Sequence, residues 1–171
     1  RRYGASRIPK GSTVEDWPLG YDELESYYDK VEYEIGVAGK AGNLRGKIDP
    51  AGNVFEAPRK REFPMPPLHG TEFTQKMAAV AKSLGWHPHA GAASINSRPY
   101  DGRAACMYHG FCNRGGCHVD AKNSTLVTTI PKAQKTGHFS VVAQARVTTI
   151  EVDNQGRVSG VNYVMNGAEY F

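Results

Sequence analysis

No apolar run in this sequence is long enough to cross a bilayer, and mean hydropathy is -0.51, so no transmembrane helix is expected. The chain opens Arg1-Arg2-Tyr3-Gly4 without an initiator Met, and nothing hydrophobic follows the paired arginines, so no signal peptide is expected and a piece of something longer is. An excess of one charge is also lacking: the net charge is +4 and acids and bases are interspersed. Arg59-Lys60-Arg61 is too short for a nucleic-acid footprint and reads as a solvated loop, so no nucleic-acid partner is expected. No Gly-x-Gly-x-x-Gly follows a strand, and Ala41 and Ile48 break the phosphate-loop pattern between Gly39 and Lys47. No Ser/His/Asp order can be defended, and the carboxylate pairs Asp22/Glu23 and Glu32/Glu34 read as solvent-facing. His87 and His89 read as an exposed loop pair rather than a metal site. These absences leave no catalytic residue to assign within the chain.

Apart from Pro131, the prolines all lie in the first hundred residues, which should be rich in loops. Two helices interrupt them. Leu24, Tyr27, Tyr28, Val31 and Ile35 recur at helical spacing before a stop at Gly36, and their stripe reads as core. Thr71 can cap a second helix whose buried face would be Phe73, Met77, Val80, Ala81 and Leu84. Residues 39–68 read as a long surface connection, of a kind that is unusual inside a compact domain unless functional or covered. A third helix is expected over about 122–130, halted by Pro131. Residues 140–152 alternate as a strand, Asn154-Gln155-Gly156 supplies a turn, 158–165 is a second strand, and Asn166-Gly167 starts a tight hairpin into 168–171. The expected class is α/β, or α+β, ending in an antiparallel meander.

All three cysteines fall within twelve residues, Cys106, Cys112 and Cys117, around Gly115 and Gly116. Soft sulfur ligands crowded on a glycine-rich loop suit a metal or cluster. The spacing matches no zinc ribbon, bacterial ferredoxin run or haem attachment site. An iron–sulfur cluster, zinc on Cys106, His109, Cys112 and Cys117 or His118, and inert thiols with or without one disulfide all stay open on spacing alone.

Four stretches together carry a resemblance. Asp16 to Glu32, Gly36 to Gly46, Arg61 to Leu68 and Asn96 to Arg103 resemble, in order, the glucose–methanol–choline (GMC) flavoprotein oxidoreductases, in particular the large flavoprotein subunits of sugar, polyol and aldonate dehydrogenases. The resemblance implies an internal fragment: 1–105 mostly substrate cap, 106–121 a cysteine loop near the flavin, and 122–171 part of the FAD domain. It implies FAD, with the Val147 backbone on the adenine edge, and a [3Fe-4S] cluster on Cys106, Cys112 and Cys117. It further implies hydride transfer from a CH–OH group to flavin, onward electron transfer to a multihaem cytochrome c, and a small chaperone-like subunit. The catalytic base is expected outside residues 1–171, so the fragment alone should be poorly stable and inactive. The implied location is the periplasm, with membrane association through a partner. A cluster-free flavin oxidase and a zinc-binding interaction module are the alternatives.

Overall fold

The structure is a computed structural model and describes residues 8–15, 17–110, 112 and 115–171. It combines helices with antiparallel sheet, and the chain divides into two units between Ile130 and Pro131.

The first unit opens on α1, Tyr21–Ile35. Gly20 precedes it in an extended conformation, and the Glu23 carboxylate reaches back to accept the Gly20 N–H at 2.7 Å. Gly36 ends it with φ 78°, in the left-handed region where a side chain is costly. A side chain is excluded there for a second reason: an added Cβ would lie 2.9 Å from the Tyr100 ring and 3.2 Å from Asn96 Oδ1. The following segment holds the two-residue strands β1 (Asn43–Leu44) and β2 (Lys47–Ile48), paired Asn43 to Ile48 and Leu44 to Lys47. Otherwise it is irregular backbone, tied down by single bridges of Ala38 to both Met65 and Ala93, and of Leu44 to Arg59. The core is small: Val37, Ala38, Ala41, Phe63, Met65 and Ala121.

Salt bridges do much of the rest. Of Arg59, Lys60 and Arg61, expected as a solvated loop, the last two are exposed and Arg59 is shielded, yet all three are paired. Arg59 pairs with Glu32, Lys60 with Glu25 at 2.9 Å, and Arg61 with Asp29 at 2.6 Å. The three acids stand at i, i+4 and i+7, one face of α1. Each basic residue of the strap therefore meets its own acid. Arg61 also lies over the Tyr33 ring at 3.4 Å and Arg59 over Phe63 at 3.8 Å. Glu62 continues the clamp by accepting the Ala41 N–H at 2.6 Å, the Phe63 N–H at 3.1 Å and the Lys40 ammonium at 2.8 Å. Glu32 thus faces protein, against the sequence expectation for the Glu32/Glu34 pair, because a long basic partner is delivered from a distant loop.

Helix α2 is Glu72–Ser83, with the Thr71 hydroxyl accepting the Thr74 N–H at 3.2 Å as its cap. The apolar stripes of both helices depart from expectation. Tyr27, Tyr28 and Val31 on α1, Phe73, Met77 and Val80 on α2, and Leu84 at the end of α2 are all more than half exposed. The helical period is correct and the burial is not, because no described element packs over those faces. On α2 the uncovered face borders an open groove of about 580 Å³ lined by Pro50, Phe73, Met77, Ala81 and Pro88.

The third helix, α3, is Thr129–Lys135, later than expected. Pro131 sits in its first turn rather than beyond its end, where a missing N–H costs nothing. In the second unit the strands β3 (Arg146–Val152), β4 (Val158–Met165) and β5 (Ala168–Tyr170) form an antiparallel meander in that order. The first strand is shorter than its alternating pattern: residues 140–145 stay outside the sheet, and Gln144 has φ 55°. The β4–β5 turn has φ 53° at Asn166 and 79° at Gly167, the left-handed pair that a two-residue hairpin requires.

Candidate functional site

The cysteine loop is built on a stem of buried polar groups. Asn96 is fully buried; its backbone N–H reaches Ala121 O at 2.8 Å and its backbone carbonyl accepts the Cys106 N–H at 2.8 Å. The Asn96 side-chain amide donates to Ala104 O at 3.1 Å, with longer contacts to Tyr100 O and Arg103 O. These bonds close residues 100–106 into a tight turn immediately before the first cysteine. Arg103 then joins this turn to the rest of the unit. Its guanidinium donates to Ile35 O at 2.7 Å and to Asp120 O at 3.1 Å, while the Tyr100 hydroxyl donates to Tyr33 O at 2.7 Å. Carbonyls at the C-terminus of α1 have no partner within the helix, so they are natural acceptors for a cation and a phenol. The return limb is pinned by a bridge between Ile95 and Lys122 and by Asn123 N–H on Ser94 O at 2.9 Å. Both ends of the thiol segment are thus anchored next to the end of α1.

Between those anchors lie three unpaired, half-buried thiols. Cys106 Sγ accepts the Tyr108 N–H at 3.4 Å. Cys117 is the more strongly supported. The backbone N–H of Lys122, with those of Val119 and Ala121, holds its thiol below the ordinary range against burial and the nearby Asp120 charge. The Lys122 ammonium donates to Cys112 O at 3.0 Å and to Gly115 O at 3.3 Å. The His109 and His118 rings stack at 4.9 Å, 8° from parallel. Among the described residues, no three His, Cys, Asp or Glu side chains gather into a group that could hold a metal ion. Neither the three-thiol set nor the zinc set with His109 or His118 is therefore closed. Soft sulfur is the donor type a thiolate-ligated cluster needs, but among the described residues the thiols are not gathered into a site that could hold one.

Val147 lies on β3, the edge strand of the meander, opposite Tyr163. The ladder is irregular directly after it, between Val147 and Thr149. Its side chain is 54% exposed, so it is not ordinary core, and an edge strand keeps backbone groups open for a ligand. His87 and His89 are exposed in a loop, with His87 edge-on to Phe55 at 5.5 Å.

Sequence reasoning missed the roles of Asn96, Arg103, Glu25, Glu32 and Lys122. The only advance signal was the spacing of Glu25, Asp29 and Glu32 along one helix face opposite three consecutive bases. Nothing in the sequence marked Lys122.

No helix among the described residues is long and apolar enough to cross a membrane. No family model matches the chain. It is 30% identical over 172 aligned residues to a gluconate 2-dehydrogenase flavoprotein of Pantoea cypripedii, covering 95% of the chain and 28% of that protein. It is 30% identical to the fructose dehydrogenase large subunit of Gluconobacter japonicus, over 86% of the chain and 25% of that protein. It is 26% identical to the 6'''-hydroxyparomomycin C oxidase of Streptomyces lividus, over 85% of the chain and 24% of that protein. The chain thus spans about a quarter of the length of these relatives. Similarity along nearly the whole chain, in a fold that mixes helices with an antiparallel meander, assigns it: this chain belongs to the GMC-type flavoprotein family.

Proposed function

We propose that the chain is a segment of an FAD-dependent dehydrogenase that oxidises a CH–OH group of a sugar, polyol or aldonate. In this reading Cys106, Cys112 and Cys117 hold an iron–sulfur cluster, of the [3Fe-4S] type, and electrons leave toward a multihaem cytochrome c. The observation that carries the reading is the three-thiol segment itself, inside a chain that aligns over 95% of its length with a gluconate 2-dehydrogenase flavoprotein. When bound, FAD supplies the hydride acceptor and the cluster a one-electron outlet. The chain's own residues bind and position. The Val147 backbone, on the open edge of β3, meets the adenine edge. The Asn96–Arg103 stem holds the thiol loop against the end of α1. Residues 1–105 belong mostly to the substrate cap, 106–121 form the cysteine loop beside the flavin, and 122–171 belong to the FAD domain. The proton-accepting base comes from outside residues 1–171. The working enzyme is periplasmic, with a small chaperone-like subunit and membrane association through its cytochrome.

A second reading is a cluster-free flavin oxidase. The oxidase of Streptomyces lividus among the relatives favours it, as does the lack of a gathered three-ligand group among the described residues.

The deciding experiment is anaerobic purification of the native polypeptide containing this chain, with iron, sulfide, zinc and flavin quantified and an EPR spectrum recorded. Iron and sulfide at cluster stoichiometry, with an oxidised-state signal lost on reduction, support the wired dehydrogenase. Flavin with metal-free thiols supports the oxidase. Stoichiometric zinc without flavin overturns both.

A further inference from the structure

The end of α2 and the turn at residues 49–52 line a cavity of about 400 Å³, in the about 300–1,000 Å³ range of small-ligand sites. Asp49, Pro50, Lys82, Trp86, His87 and Pro88 form its walls. Backbone bonds fix both sides. Gly85, at φ 77°, closes α2: its N–H donates to Lys82 O at 3.0 Å, and the Trp86 N–H donates to Ala81 O at 3.0 Å. That cap sets the backbones of Lys82 and Trp86 at a defined spacing. In the turn, the Asp49 carboxylate accepts the Ala51 N–H at 2.9 Å, and the Asp49 N–H donates to Gly42 O at 2.9 Å. Gly52 lets the turn cross the core segment, since an added Cβ would lie 2.4 Å from the Gly42 nitrogen. The charges on the walls do not cancel. Asp49 is paired with Lys40 at 3.0 Å, while the Lys82 ammonium has no carboxylate partner among the described residues. Glu62, which shares Lys40, is bound by the Ala41 and Phe63 N–H groups and does not line the cavity. Trp86 is 67% exposed, and the His87 ring stands edge-on to Phe55 at 5.5 Å.

We infer that this cavity binds a sugar acid, a polyhydroxylated chain ending in a carboxylate. The Trp86 indole offers an apolar face for C–H groups, and Lys82 offers a charged donor for the carboxylate. Asp49 spends two of its about four lone-pair sites on Ala51 and Lys40, which leaves the others for ligand hydroxyls. A neutral sugar gains little from the ammonium, and an apolar acid gains little from Asp49. A polyhydroxy acid uses both, so Lys82 is the residue that separates the acid from the neutral polyol. The cavity lies within the segment proposed above as substrate cap. As a choice among sugar, polyol and aldonate the inference therefore rests on the proposed function; as a binding site it stands on the cavity alone.

The test is hydroxyl-radical footprinting of the native polypeptide containing this chain, without an electron acceptor, with D-gluconate and uncharged D-glucitol as probes. Oxidation of Trp86 is read by mass spectrometry against Trp17, which is 72% exposed. The two probes scavenge radicals alike, so the difference between them isolates the carboxylate. Gluconate should protect Trp86 and glucitol should not. Lys82→Met should raise the gluconate concentration for half-protection at least about tenfold, the loss of one charge-assisted hydrogen bond. Lys82→Arg, which keeps the charge, should retain most of the protection. Trp86 already protected without a probe overturns the site, because another part of the polypeptide then fills it. Equal protection by both probes overturns it too, as does protection unchanged in Lys82→Met. Gluconate-specific protection in a polypeptide that oxidises no CH–OH substrate overturns the proposed dehydrogenase and upholds the site. Dehydrogenase turnover without gluconate-specific protection does the reverse.

Discussion

Breaking the Glu32–Arg59 pair should destabilise the attachment of α1 to the strap at 59–62 by about 2 kcal/mol, well beyond what a surface pair contributes. The two side chains are 20% and 11% exposed, and Arg59 donates through both terminal nitrogens, one of them at 3.1 Å. At an effective dielectric constant of about 20, opposite charges at that separation attract by about 5 kcal/mol. Desolvation and the ordering of two long side chains offset more than half of this. The assay is a double-mutant cycle with Glu32→Gln, Arg59→Met and the double variant, read as opening free energies of α1 amides by native-state hydrogen exchange. The cycle cancels the separate loss of the Arg59 contact over Phe63, which Arg59→Met also removes. Lys76–Glu72 on α2 is the internal control: it is an ion pair at 2.7 Å, but its side chains are 74% and 82% exposed, so its coupling should be close to zero. Equal coupling energies for the two pairs would refute the reasoning, since burial and the two-nitrogen contact of Arg59 are what separate them.

Acid should loosen the same region. Burial pushes the Glu62 carboxyl up, but the Lys40 ammonium and the N–H groups of Ala41 and Phe63 outweigh it, leaving Glu62 below its ordinary 4.5. A carboxylate lowered in the folded state contributes stability that is complete above its unfolded value and lost as pH falls below it. Exchange protection at Ala41 and Phe63 should therefore drop below about pH 4.5, and Glu62→Gln should flatten that profile. Gly36→Ala should destabilise the junction of α1 with the thiol stem by about 2 kcal/mol, through the left-handed backbone and the close contacts with Tyr100 and Asn96. It would show as faster exchange at Asn96, Arg103 and Cys106, and unchanged rates there would contradict the packing described. Gly167→Val should cost about 1–2 kcal/mol in the meander, because a β-branched residue resists φ 79°; circular dichroism melting of the variant against wild type would measure it.

The legible parts of this chain were the local ones. Tyr21–Ile35 and Glu72–Ser83 follow from apolar spacing with Gly36 and Thr71 as stop and cap, and the Asn166-Gly167 hairpin follows from residues that tolerate positive φ. Pro131 misled because proline ends a helix from inside but suits its first turn equally well, and the sequence does not say which end it marks. The aromatic and aliphatic stripes misled for another reason: periodicity reports which face of a helix is apolar, not whether anything covers it. The cysteine cluster was evident from spacing, while the residues that brace it were not. Asn96, Tyr100 and Arg103 work by filling the backbone carbonyls of Tyr33, Ile35, Tyr100, Arg103, Ala104 and Asp120, acceptors that every residue possesses and no motif records.

By itself the sequence determined the first two helices, the meander, the thiol segment and, through four similar stretches, the family. Those depend on side-chain type and short-range spacing, which one dimension encodes. The tertiary structure decided which charges are paired, where the thiol loop is anchored and that Lys122 reaches back to Cys112. Such contacts join residues from ten to nearly seventy positions apart, and their energies depend on burial and distance, which exist only once the chain is folded.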